Sequence, residues 1–379
     1  MINRWASGGG SASSTTSGGT QVSDRPIDQA SAEGGLLRKF LSMLAISAAA
    51  TTVLGAGHAA AQAANPFKCE PGEKYVMNVM VSGVEYWFPV YEMFKQAGKQ
   101  FGCETEYTGT PEYDVNKQIA TFDQALAQKP AGILVHPMNS DPFIEPINRA
   151  IEQGTAVVTF AADSPNSKRV SYITSDNVAE GTYAADAVAK AMDGKGEYAV
   201  LENPGQDNHD KRIAAFIARM EAKWPDMKLV GRAASNQDAT KAYQAVLSLA
   251  QAHPDLGAVF MPEANSAIGA AQAAKEGGGK IRVMLADVNA KILDMIKAGE
   301  IFGSVNPNQG MQGYMGFMLL WLAKHPELID PMNDARRSGF NGMSVPFVDN
   351  GFSIVTAENA DDFYWDAYLK RRGTKGIEE

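Results

Sequence analysis

The sequence predicts an α/β protein of two doubly wound parallel-sheet lobes. Three observations carry that expectation. From Tyr75 onward short apolar runs alternate with amphipathic segments, in a strand–helix–strand rhythm. The segments between the runs place apolar residues at three- and four-residue steps, the period of a half-buried helix. The runs number ten, more than one doubly wound sheet holds, so two sheets are the economical arrangement.

In chain order the strand-like runs are YVMNVMV, CETEYTG, AGILVHP, TAVVTFA, RVSYITS, EYAVLEN, KLVGRAA, GAVFMPE, IRVMLAD and IFGSVNP. Helical patterns such as VNKQIATFDQALAQ and DPFIEPINRAIEQG separate most of them. Asp141-Pro142 reads as an N-cap followed by proline at the first helical position, and the glycines of EQG and KAGE as helix stops. Right-handed crossovers between parallel strands then cover both faces of each sheet with helices.

The segment before Tyr75 reads differently. Residues 1–35 are rich in Gly, Ser and Thr without an apolar period, the composition of a disordered extension. Residues 36–63 hold a basic start (Arg38, Lys39), an apolar run from Phe40 to Gly57, and Ala61-Gln62-Ala63 as a small-x-small motif. Those are the parts of a secretory signal peptide cleaved near Ala63, which implies export to the periplasm. A transmembrane anchor is the rival reading, but the run is Ala-rich and short for a bilayer span. Export makes Cys69 and Cys103, the chain's two cysteines, a candidate disulfide, since neighbouring parallel strands put both at one sheet edge. Two unpaired thiols are the alternative.

Composition narrows the function classes. The 379 residues carry a formal net charge of -9, which argues against nucleic acid or an anionic membrane surface as a partner. Two cysteines and scattered histidines give no metal constellation, and neither metal nor cofactor is expected. No GxSxG, HExxH or P-loop motif occurs, so an exported hydrolase has no support and the chain is not read as an enzyme.

Parallel sheets bind ligands at the carboxyl ends of their strands. Tyr86-Trp87-Phe88 follows the first run, His136 the third, and Asp163 the fourth. In the second half NPGQDNHDKR (203–212), NQD (236–238), PEAN (262–265), ADVN (286–289) and NPNQ (306–309) follow. Carboxylates, amides and an arginine beside loop aromatics suit hydroxyl hydrogen bonding and stacking on the C–H face of a sugar or polyol.

Four stretches, VVTFAADSPNSKRVSYITSDN (157–177), DNHDKRIAAF (207–216), AHPDLGAVFMPEANSAIGA (252–270) and NPNQGMQGYMGF (306–317), resemble the ribose/galactose-type periplasmic sugar-binding proteins. The resemblance covers residues of about 70 to 375. It implies two lobes joined by a three-crossing hinge, with a sugar-binding cleft between them that closes by hinge motion. The crossings are expected near Asp176, near Asn308 and near Val345–Gly351. The lobes would then be 65–176 plus 309–345 and 177–308 plus 346–379. The implied partners are a monosaccharide or small polyol and an ABC permease of the inner membrane, with the protein acting as a monomer.

The resemblance also implies contacts. Tyr86, Trp87 and Phe88 stand where the family places an Asn and stacking aromatics. Asp163 matches a hydroxyl-binding Asp, although the Ala161-Ala162 pair occupies the place of an earlier one. Arg212 matches the family arginine, with Gln206 and Asn208 just before it. Glu263 replaces an Asn, Asp287 matches an Asp, and Asn306, or Gln309, falls near the amide at the second crossing. Gln237 replaces an opposite stacking aromatic, so an open-chain or unusual polyol fits the altered wall at least as well as a common hexose. Transcriptional regulators of the LacI type share this fold, but the signal peptide and the acidic charge disfavour that reading. A sensor presenting a sugar or quorum signal to a chemoreceptor or sensor kinase stays open.

Overall fold

The structure, a computed structural model, describes residues 67–328 and 345–372. The expected extension, the signal peptide and its cleavage site near Ala63 lie outside the described residues. The first lobe is built from β1 (Lys74–Val79), α1 (Trp87–Phe101), β2 (Glu104–Gly109), α2 (Val115–Ala127), β3 (Gly132–Val135), α3 (Ile144–Glu152), β4 (Ala156–Phe160) and β5 (Ser171–Thr174). The chain then crosses and makes α4 (Asn177–Ala191), β6 (Lys195–Glu202), α5 (Asp207–Lys223), β7 (Asp226–Ala234) and α6 (Ala239–Ala252). The second lobe continues with β8 (Leu256–Phe260), α7 (Ala267–Glu276), β9 (Arg282–Ala286), α8 (Ala290–Lys297) and β10 (Gly303–Pro307). Helix α9 (Gln309–Lys324) returns to pack on β3, β4 and α1, and β11 (Phe347–Asp349), β12 (Phe352–Val355) and α10 (Trp365–Arg372) end the described chain.

The two sheets repeat one topology. Their strand orders are β11-β5-β4-β3-β1-β2 and β12-β10-β9-β8-β6-β7. All pairings are parallel except β12 against β10. Each of the ten strand-like runs lies on one of the first ten strands; β11 and β12, three and four residues long, carried too little pattern to be read.

Strand alternation sorts the core into layers. In β1, Tyr75, Met77 and Val79 face α1 and α9, packing with Phe94, Phe317 and Trp321. Val76 points the other way, to Phe122 of α2 and Ile147 of α3. In the second lobe, Ala199 and Leu201 pack toward α6, α7 and α8, while Tyr198 and Val200 pack toward α4 and α5. Burial of these side chains on both faces is what makes the strands near-continuous apolar runs.

Three crossings join the lobes. Asp176 caps α4, its carboxylate accepting from the N–H groups of Val178 and Ala179 at 2.9 and 3.0 Å. Asn308 caps α9 at the second crossing. The third falls at Asn350-Gly351, because β11 pairs with β5 in the first sheet and β12 with β10 in the second. The lobe boundary expected between 345 and 346 is therefore corrected to 350–351. The crossings are tied to one another: the Asn308 N–H donates to Gly351 O at 3.0 Å, and the Asn350 N–H to Thr174 O at 3.1 Å. The proline-led start expected at Asp141 is a short 3-10 turn over Asp141–Phe143 that leads into α3.

Cys69 and Cys103 are disulfide-bonded with Cα atoms 5.2 Å apart, tying the segment before β1 to the end of α1. Closing a 34-residue loop stabilises a chain by about 3–4 kcal/mol in the loop-entropy treatment. Reduction should therefore lower the melting temperature by several degrees, and a Cys69→Ser, Cys103→Ser variant should melt at the reduced value with or without reductant. Helix packing gives a second expectation. A Cβ on Gly181 of α4 would stand 2.2 Å from the Arg212 carbonyl of α5. Gly181→Ala gains about 1 kcal/mol of helix propensity, but this backbone clash outweighs it. The variant should melt below the wild type by circular dichroism.

Candidate ligand-binding site

The carboxyl ends of both sheets face one small cavity of about 70 Å³. The first lobe lines it with Tyr86, Trp87, His136, Ala161, Ser175 and Gln312. The second contributes Gln206, Asn208, His209, Arg212, Gln237, Glu263, Asn265 and Asp287. Of the residues expected from the sequence, Tyr86, Trp87, Gln206, Asn208, Arg212, Glu263 and Asp287 meet here; Phe88, Asp163 and Asn306 do not.

Each exception has a local cause. Helix α1 begins at Trp87, so consecutive side chains diverge by about 100°. Trp87 turns inward at 4% exposure, whereas Phe88 turns out at 51% and meets Trp365 edge-on at 5.4 Å. Asp163 gives both carboxylate oxygens to Arg169, and also accepts from Thr159 Oγ1 at 2.6 Å and the Ser164 N–H at 2.8 Å. Ala161, at the end of β4, takes its place on the cavity. Asn306 lies inside β10, where alternation sends it to the face opposite Val305.

Trp87 forms the floor. Its indole Nε1 donates to Met80 O at 3.0 Å, and its ring packs against His136 at 4.8 Å and edge-on to Phe160 at 5.7 Å. The Tyr86 hydroxyl donates to Gln312 Oε1 at 2.9 Å, and burial pushes the phenol pKa well up. Backbone strain concentrates around this floor. Val81, Ala161, Gln237 and Asp287 all have positive φ, of 41°, 57°, 58° and 72°. A β-branched or carboxylate side chain held in the left-handed region is a feature of sites where the surrounding fold dictates side-chain aim.

Arg212, 4% exposed, is held from three sides. Its Nε donates to Glu180 Oε2 at 2.7 Å, Nη1 to Pro262 O at 2.6 Å, and Nη2 to Asn177 Oδ1 at 3.0 Å. Glu180 is fully buried and accepts a further bond from Ser175 Oγ at 2.5 Å. Opposite this ion pair, burial pushes the Asp287 carboxyl up to about 7, against the pull of Arg212. Glu263 is likewise raised by burial, although it accepts from the Ser266 N–H and hydroxyl.

Sequence reasoning placed His136 and His209 at strand ends but assigned neither a ligand contact. Burial lowers His136 to about 4 and His209 well below the usual imidazole range, so both rings are neutral. Asn203 Oδ1 accepts from the Gln237 N–H at 2.9 Å, which turns its amide nitrogen onto His209 Nδ1 at 3.1 Å. His209 Nδ1 is then the acceptor and its Nε2 carries the proton. Two cavity-lining groups have buried atoms without a hydrogen-bond partner: His136 Nδ1 in one lobe and Gln237 Nε2 in the other. Gln206 Nε2 spans the lobes, donating to the hydroxyl of Tyr113 at 2.6 Å. Tyr113, in the loop after β2, carried no apolar period or motif that could have singled it out. Among the described residues, no group of three His, Cys, Asp or Glu could hold a metal ion.

Comparison with known proteins fits this geometry. The chain is 24% identical over 261 residues to the D-allose-binding periplasmic protein of Escherichia coli K12, covering 66% of this chain and 84% of that protein. It is 24% identical over 197 residues to a xylitol-binding protein of Mycolicibacterium smegmatis, covering 50% of this chain and 55% of that protein. The structure of the arabinose-binding protein AraP from Geobacillus stearothermophilus superposes with a TM-score of 0.71 at 32% identity, over 78% of this chain and all of that one. The sequence profile of the periplasmic binding protein domain matches residues 75–325, and the chain belongs to that family.

Proposed function

We propose that the chain captures a neutral monosaccharide or small polyol between its two lobes and delivers it to an ABC importer of the inner membrane. One observation carries this reading. Unpaired His136 Nδ1 and Gln237 Nε2 line a cavity floored by Trp87, one in each lobe. A buried polar group without a partner costs about 1–3 kcal/mol, so a ligand that satisfies both walls stabilises the closed pair of lobes. Hydroxyls suit the task because each both donates and accepts.

The cavity volume of about 70 Å³ is far below the several hundred Å³ of a drug-sized site, ~300–1,000 Å³. It favours a ligand of few carbons. The family's members are ligand carriers rather than enzymes. Periplasmic location follows the same relatives. We place signal-peptide cleavage near Ala63 and take the working form to be a monomer that binds no nucleic acid. Over the described residues the lobes are 67–176 plus 309–328 and 345–350, and 177–308 plus 351–372, on this reading. The departures from the family pattern, no Asn within Tyr86-Trp87-Phe88 on one side and Gln237 in place of an aromatic on the other, favour an open-chain or unusual polyol.

A thermal-shift screen of the mature protein against pentoses, hexoses and four- to six-carbon polyols tests the reading. A binder should raise the melting temperature in proportion to the logarithm of its concentration; if no carbohydrate or polyol moves it, the reading fails.

Asp287 supplies a pH test. Its folded-state pKa of about 7 lies above the ~3.9 of a free Asp, so the native state holds the proton through that window while the unfolded chain has lost it. Stability of the empty protein should therefore fall as pH rises through 7. Asp287→Asn should be more stable than wild type at pH 8, with the difference vanishing toward pH 4. The same variant should bind the sugar about 10- to 100-fold more weakly at pH 8, the worth of a charged hydrogen bond. Equal affinity of both proteins would remove Asp287 from the site.

A further inference from the structure

One buried amide behind the sugar cavity governs the groups in front of it. Asn203 follows the last residue of β6 and is 3% exposed; it bonds to three residues that line the cavity without lining it itself. Its Oδ1 accepts from the Gln237 N–H at 2.9 Å and from the Ser235 hydroxyl at 3.2 Å. A backbone N–H can only donate, so this bond fixes the amide oxygen on one side and the amide nitrogen on the other. The nitrogen meets His209 Nδ1 at 3.1 Å and also hydrogen-bonds to Glu263, opposing the upward push of burial on that carboxyl.

The consequence is the polarity of one stretch of wall. With Nδ1 tied to Asn203, the His209 proton sits on Nε2, the ring nitrogen left to the cavity. Gln237 is fixed in the same sense. Asn203 holds its backbone at a φ of 58°, and Asn265 Nδ2 donates to its Oε1 at 2.8 Å. That leaves the unpartnered Nε2 of Gln237 for a bound molecule. Other groups around the His209 ring keep it neutral. Burial disfavours the imidazolium most, followed by Arg212 on the same helix and His136 from the first lobe. The carboxyls of Glu263 and Asp287 line the same cavity and do not reverse this.

We propose that Asn203 is a positioning residue of the cleft, which makes the wall at His209 and Gln237 a hydrogen-bond donor that does not accept. The bound molecule must then present oxygens that accept there, as hydroxyl, ring-ether and carbonyl oxygens do. A methylene or an ammonium at those places would leave both N–H groups unpaired and is selected against. The inference rests on the cleft reading and deepens it, since the selecting residue touches no ligand and acts through the ring and amide that do.

Nitrogen-15 NMR of the mature protein with labelled histidine tests the tautomer without any ligand, the His209 signals being identified by their loss in His209→Gln. In the wild type Nδ1 should be bare and Nε2 protonated, with no titration between about pH 5 and 8. In Asn203→Asp, the Gln237 N–H and the Ser235 hydroxyl still find an acceptor and hold the new group as a carboxylate. His209 Nδ1 must then take a proton, and the ring should titrate at a raised pKa. Calorimetry follows with members of the carbohydrate panel, D-ribose, D-allose, D-arabinose and xylitol first. Any that saturates the wild type should bind Asn203→Asp at least about tenfold more weakly, melting curves showing that the variant is folded. A proton on Nδ1 in the wild type, an unchanged tautomer in Asn203→Asp, or equal affinity of the two proteins would each overturn the proposal alone. If no member of the panel binds the wild type, the selecting role falls together with the cleft reading, and the two failures are thereby told apart.

Discussion

The buried pair Arg212–Glu180 is the interaction on which the site depends. Arg212 comes from α5 and Glu180 from α4, the first helix after the chain crosses between lobes; Pro262 O brings in the end of β8. Both residues are all but removed from water, at 4% and 0% exposure. Neither charge is tolerable there without the other, since leaving one partner alone costs about 3–5 kcal/mol. The close approach of α4 to α5 at Gly181, one residue after Glu180, is what lets the pair form. Packing, hinge and site are thus one construction rather than three.

The hinge follows the same economy. Three short crossings carry the chain between lobes, and each ends at a helix cap or a turn rather than inside a regular element. Asn350 links the crossings, its amide donating to Asn308 O at 3.3 Å and Gly351 O at 3.1 Å while its Oδ1 accepts from Gln312 at 3.3 Å. Gln312 in turn receives the Tyr86 hydroxyl at the cavity floor. A hinge movement therefore reaches the ligand wall through two hydrogen bonds, without a change in either core.

How much of this was legible in the sequence depends on the distance over which each feature is determined. The inner strands show because burial on both faces demands a local apolar run, as in AGILVHP. Their carboxyl ends show because topology places them, and seven contacts that the family resemblance implies at those ends line the cavity there. What failed was orientation. Tyr86-Trp87-Phe88 read as a loop, where neighbours have no fixed relation; a helix starting at Trp87 sends Phe88 out to Trp365, some 280 residues along the chain. Asp163 failed because its partner Arg169 is six residues away in a turn whose shape no period reveals. β11 and β12 failed because a three- or four-residue strand at the sheet edge buries too little to impose a pattern.

The charges around the cavity explain why a neutral ligand fits it. Arg212 offers an anion little despite its charge, since Glu180 offsets it and its three nitrogens are each already bonded within the protein. His136 and His209 are kept neutral by the same burial that lifts the Asp287 carboxyl to about 7. Desolvation thus pushes acids and bases toward their uncharged forms together, leaving a lining of strong hydrogen-bonding groups with little net field. Such a lining discriminates by the positions of hydroxyls rather than by charge. On the proposed reading a missing or inverted hydroxyl would leave one of these buried groups unpaired, a penalty larger than the gain from any single contact.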